Sequence, residues 1–299
     1  MTGEPRDDSA DDAFHLASLH VGLDPNSSEL LRRGENSIYL VEDYIVVRVS
    51  RPGQERAARS EVKVAEWLKT ADIPAVQLAP GIDQPIVVED RAVTFWRKLP
   101  PHRPSTPAQV AHALKRLHGL PVPTTFELGV LEPFVRLEQR IQAATTLPAG
   151  DREWMREHLV NLIHRYTNLP PGQPHCVVHG DAWVGNVVAT DDNQVVLLDL
   201  ERTSFGPPEW DLVHTAIKCS SFGWIRPAEY ESFCAVYGHD VTTWSGFELL
   251  RDVREFRMTC MAAQNALIHP ADQKQAEHRI ACLRGKFGLR PWAGWRPLS

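Results

Sequence analysis

The sequence contains no apolar run approaching the roughly 20 residues that a membrane-spanning helix requires, so we expect no membrane partner. Basic residues are not in excess either, because 32 Lys and Arg face 38 Asp and Glu, for a formal net charge of -6. We therefore expect no nucleic-acid partner, since phosphate backbones are bound by concentrated basic surfaces. The five cysteines have no C-x-x-C spacing and follow no secretory signal, which predicts reduced thiols in a cytoplasmic protein.

The order of the sequence patterns predicts an α+β protein with two lobes. A chain of 299 residues, 43% of them hydrophobic, is long enough to bury a large core. Small and acidic residues at the start predict a disordered acidic tail over residues 1–13. Strand patterns dominate from there to residue 99, and helical patterns dominate after the proline-rich stretch PPHRPSTP. We therefore expect an N-terminal lobe over residues 14–99 and a C-terminal lobe over residues 100–299.

Two elements of the N-terminal lobe have clear signatures. Apolar residues alternate on both sides of Glu42 and Asp43, which predicts a hairpin. The segment QERAARSEVKVAEWLKT follows it, and its apolar residues Ala58, Val62 and Ala65 recur at helical spacing. We therefore expect a helix of about four turns after the hairpin. In the other lobe, Thr106 and Pro107 are typical of the N-cap and first position of a helix.

A polar cluster lies between two apolar runs in CVVHGDAWVGNVVATDDNQVVLLDL. The segments NVVAT and QVVLLDL predict a hairpin, which brings Asn186 and Asp199 to its open end. Asp181 and Asn186 have the D-x-x-x-x-N spacing of a kinase catalytic loop, and Asp199 occupies the position of the second metal-binding acid. A carboxylate can orient and deprotonate a hydroxyl, and carboxylate and amide oxygens bind divalent cations. We predict Asp181 as the base and Asn186 and Asp199 as metal ligands.

A purely structural role is the alternative for the same cluster. An isolated His-Gly-Asp is more often a turn with a hydrogen-bonded carboxylate than a catalytic element. The presence of Asn186 and Asp199 at the expected offsets favours function. His179 itself is expected to brace the loop through hydrogen bonds, without carrying a proton.

These motifs resemble those of the aminoglycoside phosphotransferase family. HGDAWVGN matches the family's H-G-D-x-x-x-x-N signature, and LLDLERTSFGPPEWDL matches its later I-D-x-x-x-x-x-G-x-x-x-x-D-L segment. The resemblance extends more loosely over residues 30–290. It implies a protein-kinase-like bilobal fold, with a small antiparallel sheet plus helix in the N-terminal lobe and a larger, mainly helical C-terminal lobe. It also implies Mg²⁺-dependent transfer of the γ-phosphoryl group of ATP or GTP to a small-molecule hydroxyl, and a bracing role for Asp211.

The sequence departs from the usual kinase pattern in its nucleotide lobe. The loop GENS has one glycine instead of a G-x-G-x-x-G run, so phosphate contacts would come from backbone and from Ser37. Arg48 occupies the strand position that usually carries a lysine, and it can pair with Glu61 of the following helix. A helical Glu is usually a solvated charge, which is the alternative for Glu61. The expected nucleotide-binding residues are Asn36, Ser37, Arg48, Glu61, Arg97 and Leu99.

The acceptor is the least constrained part of the prediction. Asp252 and Glu255 are three residues apart on one helix face, which favours an amine-bearing acceptor such as an antibiotic, with a role in resistance. A solvated acidic face interleaved with arginines is the alternative. We also place Trp183 and Glu201 at the acceptor site. A choline-type or sugar-type kinase, or an inactive kinase-like binding protein, remains open, as does a monomer or dimer.

Overall fold

The computed structural model describes residues 8–34, 36–267 and 269–298, so Glu35 and residues 1–7 lie outside the described residues. Its helices and strands begin with α1 (Asp8–His20), β1 (Ser28–Arg33), β2 (Ser37–Val41), β3 (Ile45–Val49), α2 (Glu55–Thr70), β4 (Ile86–Val88), β5 (Arg91–Arg97) and β6 (His102–Pro104). They continue with α3 (Pro107–His118), α4 (Leu137–Ala143), α5 (Ala149–Tyr166), β7 (Cys176–Val178), β8 (Val187–Thr190), β9 (Val195–Leu197), β10 (Ser204–Gly206), α6 (Glu209–Ser220), α7 (Pro227–Tyr237), α8 (Phe247–Asn265) and α9 (Gln273–Leu283).

The fold is α+β, as predicted, and the chain forms two compact units. The first unit contains all of the five-stranded sheet, and the second contains most of the helices. Within the described ranges, no helix is long and apolar enough to cross a membrane. The first unit comprises Met1–Ser105, Gly119–Gly129 and Val184–Ser204, and the second comprises Thr106–His118, Val130–Trp183 and Phe205–Ser299.

The hairpin of β8 and β9 groups with the first unit, whereas we had expected everything after residue 99 to belong to the second lobe. Backbone pairing accounts for this difference. β6 pairs antiparallel with β8, with His102 opposite Thr190, and Val76 donates to the carbonyl of Leu197 at 2.9 Å. These hydrogen bonds join the hairpin to the chain that precedes residue 105.

The first unit is built on an antiparallel sheet with the strand order β1-β2-β3-β5-β4. The predicted hairpin is β2 and β3, and Glu42 and Asp43 both adopt positive φ angles in its tight turn (51° and 62°). In β3, Val47 and Val49 are fully buried, so Arg48 between them faces the opposite side of the sheet. The predicted helix after the hairpin is α2.

Helix α1 corrects one expectation about the N-terminus. Residues 8–13, which we expected to be disordered, form its first half. Ala10 and Phe14 are buried, and the Phe14 ring stacks on Tyr39 at a centroid distance of 4.0 Å. Asp11 accepts hydrogen bonds from Arg33 and from the Tyr39 hydroxyl. Small apolar residues spaced along one face therefore bury enough surface to order a segment whose overall composition is acidic.

The second unit is mainly helical, with α8 packed against α4, α6 and α9. Its first helix, α3, has the predicted start, because Thr106 Oγ1 accepts from the Gln109 amide (3.3 Å) and Gln109 Oε1 accepts from the Thr106 amide (2.9 Å). This reciprocal arrangement satisfies two amides that the helix leaves unpaired. A short strand, β7, pairs with β10 and leads directly into the HGD segment.

Candidate functional site

The HGD segment turns sharply after β7, and a carboxylate of α6 holds the turn. Gly180 has a φ of 83°, a conformation that a residue with a Cβ rarely adopts. Asp211 accepts from the His179 amide at 2.7 Å and from the Gly180 amide at 2.9 Å. The His179 ring lies inside, fully buried, where its Nδ1 accepts from the Asp181 amide at 3.3 Å. The backbone around Asp181 is therefore fixed from two sides.

Asp211 is itself fully buried and has a further partner on α3. His118 Nε2 lies 3.1 Å from Asp211 Oδ2, while His118 Nδ1 lies 2.8 Å from the Tyr237 hydroxyl. Burial acts to raise the pKa of Asp211, but the hydrogen bond and charge of His118 and the charges of His179 and Arg254 outweigh it and lower the pKa. Asp211 thus stays ionised and acts as the brace that the family resemblance implied.

Asp181 keeps part of its carboxylate accessible and lies among nitrogen groups of the second unit. Its side chain is 34% exposed, and Arg254 Nη1 and His214 Nδ1 each lie 3.8 Å from its Oδ1. Burial lowers the pKa of His214 well below its usual value, with the charge of Arg254 adding to the effect. His214 is therefore a neutral imidazole near neutral pH, and the contact with Asp181 is not an ion pair.

Lys218 and Trp183 form a second feature of the same neighbourhood. Lys218 Nζ lies 4.9 Å from the centre of the Trp183 ring, which is 39% exposed. Burial lowers the pKa of Lys218 to about 8; the charge of Asp181 opposes this shift, and Arg254 reinforces it. Trp183 was predicted at the acceptor site from its place in the loop. Lys218 was missed, because AIKCS has no motif and its side chain meets the loop only through the fold.

In the first unit, Arg48 is the centre of a cluster of carboxylates. The predicted ion pair with Glu61 is present, with 3.0 Å between Arg48 Nη1 and Glu61 Oε1. Arg48 also pairs with Glu201 at 2.7 Å, and its Nη1 lies 3.6 Å from Asp199 Oδ1. Three carboxylates thus surround one guanidinium.

The charges of this cluster do not balance. Burial raises the pKa of Glu61, against the attraction of Arg48, and the charges of Asp199 and Glu201 raise it further. Burial acts to lower the pKa of Arg48, but the same carboxylates raise it overall. With the carboxylates ionised, the cluster has excess negative charge. A divalent cation would offset that excess, because hard cations prefer carboxylate oxygens.

The predicted metal ligands lie at one end of the β8–β9 hairpin. Val187 pairs with Leu197, and the Leu198 amide donates to the Asn186 carbonyl at 2.8 Å. This pairing places Asn186, just before β8, and Asp199, just after β9, at the same end of the hairpin. Asp199 has a φ of 53°, an uncommon conformation for a residue with a side chain. Among the described residues, no three His, Cys, Asp or Glu side chains group to hold a metal alone. An Asp and an Asn suit an ion completed by phosphate oxygens.

A polar pocket of the first unit adjoins this cluster. Only some of the predicted nucleotide-binding residues line it. Asn36, Arg48, Thr94 and Glu201 line it. Ser37 is buried in β2 opposite Val49, so the structure does not place it in a loop as expected. Three other predicted residues do not line this pocket: Glu61, which pairs with Arg48, the exposed Arg97, which ends β5, and the half-buried Leu99.

The acidic residues predicted to bind the acceptor are occupied by arginines. Glu255 is fully buried and held at both oxygens by Arg290, at 2.8 and 2.6 Å. Asp252 pairs with Arg165 at 3.0 Å and with Arg290 at 3.3 Å. Glu201 belongs to the Arg48 cluster of the first unit. The structure gives these three carboxylates internal partners, because arginines distant in sequence fold against them.

The model of a phosphotransferase enzyme family matches residues 28–250. No curated protein matches the sequence at a significant level. An amicoumacin kinase solved with AMP-PNP and Ca²⁺ is 12% identical, with a TM-score of 0.70 and 96% of each chain covered. A choline/ethanolamine kinase family protein from Mesorhizobium loti is 17% identical (TM-score 0.60, 94% of each chain). An aminoglycoside phosphotransferase from Streptomyces rimosus is 21% identical (TM-score 0.62, 81% of this chain and 97% of the other).

Proposed function

Because the chain belongs to the phosphotransferase enzyme family and is a small-molecule kinase, we propose that it transfers the γ-phosphoryl group of ATP or GTP to a hydroxyl of its acceptor. The observation that carries this proposal is the fixed, partly exposed carboxylate of Asp181. Asp211 immobilises the backbone on its N-terminal side. A general base must be held in place and still be reachable by its substrate, and Asp181 meets both requirements.

The reaction divides between the residues as follows. The acceptor oxygen bonds to the γ-phosphorus, and the bond from that phosphorus to the β–γ bridging oxygen breaks. The hydroxyl proton passes to the carboxylate of Asp181. Mg²⁺, held by Asn186 and Asp199, would neutralise phosphate charge, and the excess of carboxylates around Arg48 supports a cation there. Arg48 would bind phosphate oxygens through its planar fork.

Solved structures of similar fold support two different classes of acceptor, an antibiotic and a metabolite. Solved structures of similar fold were determined with spectinomycin and with gentamicin, which favours an amine-bearing antibiotic. Against it, Asp252 and Glu255 are paired with Arg165 and Arg290 in this chain. Choline kinases of similar fold support a metabolite acceptor instead. We therefore propose a hydroxylated small molecule, without requiring amines on it.

The test is an assay with Mg²⁺, ATP or GTP, and a panel of aminoglycosides, choline, sugars and hydroxy acids, read by mass spectrometry as addition of one phosphoryl group. We expect phosphorylation of at least one compound by the wild type. Asp181→Asn should lower kcat by about 10²-fold or more while leaving nucleotide binding nearly intact. Nucleotide binding without any transfer would instead support a kinase-shaped binding protein, and an Asp181→Asn variant with normal kcat would remove Asp181 as the base.

A further inference from the structure

The surroundings of Asp181 within the second unit are cationic. Arg254 lies 3.8 Å from the Asp181 carboxylate and is fixed by hydrogen bonds to the carbonyls of Gly180 (3.1 Å) and Trp210 (2.9 Å). The charges of Arg254, Lys218 and Arg257 all act on the buried His214. Several cations therefore converge where the acceptor hydroxyl would meet its base, and Asp181 supplies the opposing charge.

Lys218 differs from the arginines of this group in how it is held. Arg254 donates to backbone carbonyls, and Arg257 Nη1 donates to the carbonyl of Pro133. Lys218 instead lies over the face of Trp183 and is 7% exposed. Most of its side chain is buried, and the charge of Asp181 acts on its ammonium. Among the described residues no carboxylate forms an ion pair with Lys218, and an ammonium on a largely buried side chain is costly to desolvate, so a bound anion would stabilise it.

His214 is a second buried residue at this place. His214 is 8% exposed, and among the described residues its Nδ1 has no hydrogen-bond partner, although it lies 3.8 Å from Asp181 Oδ1. Buried polar atoms are normally satisfied, so this nitrogen calls for a ligand atom or a water. The neighbouring carboxylate, that of Asp181, is also the one whose charge acts on Lys218.

We propose that Lys218, over the exposed ring of Trp183, binds an anionic oxygen group of the acceptor, a carboxylate or a phosphate ester. The acceptor is then a hydroxylated acid whose hydroxyl reaches Asp181 while its anionic group lies against Lys218. Trp183 covers the apolar part between them. This inference rests on the proposed function, because it assigns the charge of the substrate that the same site phosphorylates.

Matched probes test this assignment. The Trp183 indole N–H signal, identified with Trp183→Phe, is followed by NMR as the full-length protein is titrated with glycerate, gluconate or glycerol 3-phosphate. Glyceramide, glucose and glycerol serve as the uncharged counterparts. We expect a saturable shift with at least one anionic probe and none with its uncharged counterpart. A shift with glycerol 3-phosphate would indicate a phosphate ester as the anionic group, and a shift with glycerate or gluconate would indicate a carboxylate. Equal shifts with charged and uncharged probes, or none with any anionic probe, would overturn the inference.

Variants give the second readout. Lys218→Met should abolish the anion-dependent shift and raise the KM of an acidic acceptor by about 10-fold or more, with the nucleotide KM unchanged. Lys218→Arg should restore part of the affinity. Lys274→Met removes the same charge from an exposed position of α9 and should change neither value. Phosphorylation of uncharged or cationic acceptors alone would overturn the inference and leave the kinase function standing. Absence of any transfer would count against the proposed function instead.

Discussion

Arg48 forms ion pairs with two carboxylates, one close to it in sequence and one distant. It is 15% exposed in the first unit, where it neutralises Glu61, which is only 2% exposed. The same guanidinium pairs with Glu201, which is 153 residues away in sequence. The Glu61 pair could be predicted, because the helix follows the strand directly. The Glu201 pair could not, since sequence spacing carries no signal over that distance.

Replacing Arg48 should therefore affect stability and catalysis together. Arg48→Met leaves Glu61 buried without its cation, and we expect the free energy of unfolding to fall by about 3–5 kcal/mol. Nucleotide KM should rise and kcat should fall. Urea unfolding and steady-state kinetics measure the two effects. Arg48→Lys should remain partly active, because an ammonium keeps the charge and loses the bidentate geometry.

A double variant separates the two effects. Arg48→Met combined with Glu61→Gln removes both charges, so much of the stability should return while the nucleotide KM stays high. If Arg48→Met unfolds at the same urea concentration as the wild type, the ion pair between Arg48 and Glu61 does not stabilise the fold.

Lys218 provides a prediction on pH. Its pKa in the folded protein is about 8, below the ordinary value of 10.5, so between these values the folded state binds fewer protons than the unfolded state. Folding stability should therefore rise as pH increases from about 8 to 10.5. Lys218→Met lacks this dependence and should be more stable than wild type below pH 8, by up to about 3 kcal/mol. Urea unfolding at a series of pH values measures the difference. A constant difference across the range would mean that Lys218 is not desolvated.

At the scale of elements, local patterns predicted more than distant pairings did. The turn at Glu42, the helix after it and the N-cap at Thr106 all depend on residues close in sequence, and the structure has them. Residues 8–13, expected to be disordered, are helical because Ala10 and Ala13 form a buried face that composition alone does not reveal. Asp252 pairs with its neighbour Arg251, but its other partners come from α5 and from Arg290, which no helical spacing could indicate.

Helix α6 holds the HGD turn through Asp211, which accepts from the amides of His179 and Gly180. Asp211→Asn keeps the shape but turns an amide NH₂ toward donors, so it should lower the free energy of unfolding by about 3 kcal/mol. Because the loop around Asp181 loses its brace, we expect kcat to fall by about 10-fold or more with the nucleotide KM unchanged. Stability and kinetics are measured on the same preparation.

The matched control is Asp240→Asn in the same unit. Asp240 Oδ1 accepts from the Tyr230 hydroxyl (2.7 Å) and the Thr242 amide (2.9 Å), so its loss should lower stability without lowering kcat. Similar kcat values in the Asp211→Asn and Asp240→Asn variants would argue that Asp211 acts only on stability.

At the scale of the whole molecule, the residues that we propose as base, metal ligands and phosphate-binding group are divided between the two units. Asp181 and its brace belong to the second unit, whereas Arg48, Asn186 and Asp199 belong to the first. The motif HGDAWVGN therefore extends across the division of the chain. The sequence predicted a candidate base and candidate metal ligands, because carboxylates and an amide at kinase spacing have a recognisable chemistry. It did not predict this grouping, which depends on the pairing of β6 with β8.

This division leads to a test of the metal site that does not use turnover. A ligand that binds only the folded protein stabilises it, by about 3 kcal/mol at a hundredfold excess over its Kd. We expect Mg²⁺ and ATP together to raise the Tm of the wild type more than ATP with EDTA. Asp199→Ala should lose the Mg²⁺-dependent part of that rise, because the carboxylate that would hold the cation is gone. Asp181→Asn should keep it, because the role that we propose for that side chain is to act on the acceptor. An Asp199→Ala protein with the full Mg²⁺-dependent rise, or an Asp181→Asn protein without it, would contradict this assignment of roles.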